Sequence, residues 1–149
     1  MKRIDIYFTV LLALVLIGFW LSFSGPHAVL AQNSPTDCAN VLPISTTTSA
    51  QLITGQAGKN IMICSVVVVV GGADNIALVE GTGTTCATNI AGMSGGTTAA
   101  TGWNLAANGG VSHGSGAGTV LRTATPADNV CVLVSAASQL SGTMTWKFY

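Results

Sequence analysis

Five valines in a row, at positions 66–70, constrain this chain more than any other feature. A β-branched side chain restricts its own χ1 and crowds the preceding helical turn, so such a run favours extended backbone. It also breaks the apolar–polar alternation of a half-exposed strand. The run is therefore expected to be buried on both faces, or to have its outer face covered by another subunit. The remaining apolar runs are short, rich in Val, Ile and Thr, and bounded by Gly, Asn and Asp. That is strand chemistry.

Strands are expected at residues 41–47, 50–54, 60–70, 75–80, 103–107, 119–123, 129–135 and 142–148. Pro43 lacks a backbone N–H and so demotes the first of these to a sheet edge. Gly55-Gln56-Ala57-Gly58 reads as a hairpin turn between the second and third. In the last segment Met144, Trp146 and Phe148 fall on one face and Thr143, Thr145 and Lys147 on the other, the clearest half-buried pattern in the chain. Residues 81–102 lose periodicity altogether and read as a long loop pinned by Cys86, and 108–118 as a glycine-rich turn. About seven or eight short strands imply an all-β fold, an antiparallel β-sandwich or jelly roll.

This domain is expected to follow an export segment. Lys2 and Arg3 precede an uncharged stretch from Ile6 to Phe23, then come Ser24-Gly25-Pro26 and the small-residue tail ending at Ala31. The pattern predicts one apolar N-terminal helix acting as a signal peptide over 1–31, cut between Ala31 and Gln32, with the mature domain at 32–149. The alternative is an uncleaved anchor, since the stretch approaches the roughly 18–20 residues that span a bilayer. Either way the remainder lies outside the cytoplasm, and any membrane contact is through this segment.

Cys38, Cys64, Cys86 and Cys131 all lie beyond it. An even count in an exported chain predicts two disulfides. Their spacings of 26, 22 and 45 residues do not suit a metal site, which needs close ligand pairs, and the domain holds one histidine. Sequence alone cannot choose among the three connectivities. Cys38–Cys64 with Cys86–Cys131 is favoured, because each bridge then ties a terminus or loop to a core strand.

The inventory of ionisable groups beyond residue 31 is short: Lys59, Arg122 and Lys147 against Asp37, Asp74, Glu80 and Asp128, with His113. No basic cluster marks a nucleic-acid surface. His113 sits beside Ser112 in a glycine-rich segment, which is not a preorganised nucleophile–base pair. Asp74 and Asp128 each precede an asparagine and read as turn residues bonding nearby backbone. The glycine strings at 81–83 and 114–118 lack the helix and lysine of a phosphate loop. No catalytic residue, cofactor or metal is assigned. Trp103 is the one candidate ligand contact: exposed, it would stack on a sugar ring; buried, it closes one end of the core. So few charges on a small domain also suggest a surface covered by neighbours.

Several segments carry a family resemblance. Ala57-Gly58-Lys59-Asn60-Ile61 before the valine run, the stretches 104–111 and 123–132, and Ser141-Gly142-Thr143-Met144-Thr145-Trp146 resemble small β-sandwich proteins of tailed-phage structural gene clusters. The resemblance covers roughly 52–148 and implies a capsid-decorating or tail-associated virion component, here with an export signal. The expected function is thus that of an exported, non-enzymatic structural protein that binds copies of itself or another structural protein. The alternative is a secreted carbohydrate-binding or adhesion module presenting residues 81–102 and Trp103 to a glycan.

Overall fold

The structure is a computed structural model that describes residues 38–115 and 118–149, within a compact unit spanning Asn33–Tyr149. The export segment, its helix and its cleavage point lie outside the described residues. Ten strands form two antiparallel five-stranded sheets. They are β1 (Asn40–Thr46), β2 (Ala50–Ile53), β3 (Ile61–Val70), β4 (Asp74–Thr82), β5 (Thr88–Ser94), β6 (Trp103–Leu105), β7 (Gly110–His113), β8 (Leu121–Arg122), β9 (Asn129–Val134) and β10 (Leu140–Phe148). The first sheet runs β1-β10-β3-β7, with β8 also on β3; the second runs β2-β9-β4-β5, with β6 also on β4.

The sheets bury one apolar core between them. Ile44, Ile61, Ile63, Val66, Val68, Val70, Leu140 and Met144 come from the first sheet, and Ile53, Ile76, Leu78, Val130 and Val132 from the second. Trp146 and Phe148 pack against this core and meet edge to face, with ring centroids 5.0 Å apart. The expected inward face of β10 is therefore the observed one, and it survives a register shift between Thr145 and Trp146. On that face Gly142 is required by space, because a Cβ there would run into the Val67 carbonyl.

The valine run does alternate. Val66, Val68 and Val70 are buried, whereas Val67 and Val69 are 40% and 44% exposed in the single chain. The strand covered on both faces is β4 instead. Its Ile76 and Leu78 enter the main core, while Ala77 and Val79 are closed over on the other side with Cys86 and Cys131. Position within the sheet decides this, since β4 lies between β9 and β5 under a loop that the second disulfide holds down.

Three other expectations change. Residues 55–58 do not close a hairpin: β2 pairs with β9 and β3 with β10, so this segment crosses from one sheet to the other. Residues 81–102 are not one loop, for β5 and a short 3-10 turn at Ala99–Thr101 lie within them. The turn at 108–118 likewise contains β7. Glycines at 92 and 110 lie inside these strands, where they erase the side-chain periodicity without preventing ladder hydrogen bonds.

Both disulfides form in the favoured pairing, Cys38–Cys64 and Cys86–Cys131. Such bonds persist in oxidising, extracytoplasmic compartments.

Candidate functional site

The outer face of the first sheet follows from register. Directly opposed residues of antiparallel strands point to the same side. The pairings set Val41, Thr145 and Ser65 in one row, Pro43, Thr143, Val67 and Ser112 in the next, and Ser45, Ser141, Val69 and Gly110 in a third. None of these residues is charged. Val41, Val67 and Val69 are three of the six exposed large hydrophobic residues among the described positions, which makes this the most apolar open surface of the sandwich. Beyond the rows, Lys147 and Arg122 flank Met62 on neighbouring strands.

The sheet edges are less inviting. β1 carries Pro43, β2 and β7 have four residues each, and β5 has two register shifts against β4. Short strands, proline and bulges are the usual means of preventing strand addition at an edge.

His113 and Trp103 come together across the gap between the sheets. Ser112 and His113, neighbours on a strand, point to opposite faces, so the adjacent serine is not the histidine's partner. The imidazole Nε2 lies 3.4 Å from the Ser94 hydroxyl, and its ring is 5.1 Å from the Trp103 ring at a 32° tilt. Trp103 also packs on the main core and is half-buried. One hydroxyl at long range, with no carboxylate behind the ring, makes this a stacked strut between sheets. Sequence reasoning missed Ser94, since nothing local links residue 94 to residue 113.

The carboxylates of the described residues are all buried: Asp74, Glu80 and Asp128 are 4%, 3% and 5% exposed. Asp74 and Glu80 lie at opposite ends of β4 on its inward face, with Ile76 and Leu78 between them. Asp74 binds the β9–β10 loop, far away in sequence. Its Oδ1 accepts from the Ser135 and Ala136 amides and the Ser135 hydroxyl at 2.8–2.9 Å, and its Oδ2 accepts from the Ser138 hydroxyl at 2.9 Å. Burial works to raise its pKa, but these donors outweigh it and hold the carboxyl below the ordinary 3.8. Glu80 accepts the Ala124 amide at 2.6 Å through Oε2, with the Thr125 amide also directed at it. Here burial is the stronger influence; together with the charge of Asp128 it raises the pKa above 4.5 against the pull of the two amides. Asp128 therefore does more than terminate a turn.

A shallow depression of about 190 Å³ lies between residues 47–49 and 134–137, offering hydroxyl and backbone groups. Among the described residues no three metal-ligating side chains converge. Comparison of the chain with protein-family models, curated proteins and solved structures returns no match.

Proposed function

We propose that this domain is an exported, non-enzymatic structural protein that assembles with copies of itself through the outer face of the β1-β10-β3-β7 sheet. The observation that carries this reading is that face: four strands wide, free of charge, and studded with exposed Val41, Val67 and Val69 among hydroxyls. An uncharged apolar–hydroxyl surface loses little hydration when covered, and no charge is left to bury or pair. Contact through the face also accounts for the valine run, whose outer members lack cover in the single chain. The guarded edges favour face contact over strand addition. A repetitive role at a cell surface or on a virion, as the resemblance to phage structural proteins implies, fits a disulfide-stapled, charge-poor sandwich. Secretion to an oxidising compartment is part of the same reading.

Sedimentation velocity over a concentration series tests it. The domain is expected to associate reversibly, and the Val67→Lys/Val69→Lys variant to remain monomeric with unchanged circular dichroism. A wild-type protein that stays monomeric at every concentration, alone and at high salt, overturns the proposal.

A further inference from the structure

We propose that Glu80 and Asp128 hold a single proton between them, and that this shared proton latches the loop at 123–128 across one end of the sandwich. The inference does not depend on how the domain assembles. The loop joins β8 to β9 and is pinned at two points. At its start the Ile61 amide donates to the Thr123 hydroxyl at 2.9 Å, and Asn60 Nδ2 donates to the Thr123 carbonyl at 2.8 Å. Near its end the Ala127 amide donates to the Lys59 carbonyl at 2.9 Å. Between these pins, the amides of Ala124 and Thr125 are held by Glu80.

The geometry at that carboxylate favours one negative charge and disfavours two. Two backbone N–H groups can stabilise one ionised carboxylate in a poorly solvated place. Asp128 lies close enough for its charge to act on Glu80, is equally buried, and receives no hydrogen-bond donor from the described residues. Asp128 is also the one charged group that acts on Glu80; β9 and β5 oppose it with Val130 and Ala91. A second ionisation therefore places two like charges together out of water, and the pair meets this by keeping a proton. When rising pH transfers that proton to solvent, the repulsion is relieved by moving Asp128 and the loop that carries it.

Amide exchange of the full chain, corrected for the intrinsic pH dependence of exchange and measured from about pH 4 to about pH 8, tests the latch. Protection at Ala124 and Thr125 is expected to fall by about tenfold for each unit by which the pair's titration is displaced, while Ala127 stays protected. Asp128→Asn, nearly isosteric, should keep Ala124 protected throughout. Glu80→Gln, which retains an acceptor oxygen, should remove the pH dependence. Uniform protection across the range in the wild type overturns the proposal, as does an Asp128→Asn profile that follows the wild type. The wild-type profile decides even where a variant fails to fold.

Discussion

The two ends of β4 present the same problem and solve it differently. Each places a carboxylate on the inward face, and each uses it to tie down a loop more than 40 residues away in sequence. At the Asp74 end, four donors surround the group, three of them from a serine-rich loop whose hydroxyls add to its amides. At the Glu80 end, the donors are two amides and the neighbour is another acid. The first carboxylate is satisfied as an anion; the second is strained as one. Burial alone therefore does not set the sign of a pKa shift. The number of donors that can be brought to the group does. The Glu80 end has a covalent substitute for what it lacks, because Cys131, opposite Val79 in the ladder, is bonded to Cys86.

The comparison can be broken most forcefully at that bond. Cys86→Ala/Cys131→Ala opens a 45-residue loop and is expected to cost about 4 kcal/mol in the chain-entropy account. Chemical denaturation should show the loss, and exchange should show the Glu80 end opening before the Asp74 end. Equal opening at both ends would mean that the disulfide supports the whole sandwich.

Asp74→Ala comes next. It orphans two backbone amides and two hydroxyls, and is expected to cost about 3 kcal/mol. The same residue sets the acid limb of stability. Its folded pKa is depressed, so its contribution is present above pH 3.8 and is lost as pH falls through the lower folded value. Asp74→Asn should flatten that limb in a thermal-melt series against pH. Glu80 runs the other way: its raised folded pKa makes its contribution full below pH 4.5 and lost as pH rises through the folded value. A wild-type profile with slopes of the same sign on both limbs would contradict the contrast.

The smallest effect belongs to Ser138→Ala. It removes the one donor to Oδ2 of Asp74 and leaves Oδ1 served, for a loss of about 1 kcal/mol. A cost as large as that of Asp74→Ala would show that the loop, and not the carboxylate, carries the stability there.

Legibility from the sequence followed range. The alternation of Met144, Trp146 and Phe148, the edge character of β1 at Pro43, and the strand chemistry of the valine run are properties of a few adjacent residues. They read correctly because side-chain period and backbone propensity are local. The disulfide pairing was partly legible, as cysteines near predicted strands narrowed the choice. What failed was local inference applied to non-local facts. The segment at 55–58 has a turn's composition, yet β2 and β3 part to different sheets because each finds its hydrophobic neighbours on a later strand, β9 or β10. Asp74 and Asp128 look like turn residues, because an aspartate beside an asparagine carries the same local signal whether its partners are adjacent or 60 residues distant.

By itself, then, the sequence determined a disulfide-bonded, all-β domain with short strands and very few ionisable groups, through propensity, spacing and composition. The tertiary structure decided where those few groups went. It buried every carboxylate of the described residues as a loop anchor, closed over both faces of β4, and left Val67 and Val69 on an open, uncharged face. Burial is a property of what packs on top of a residue, and in a sandwich that cover arrives from distant parts of the chain.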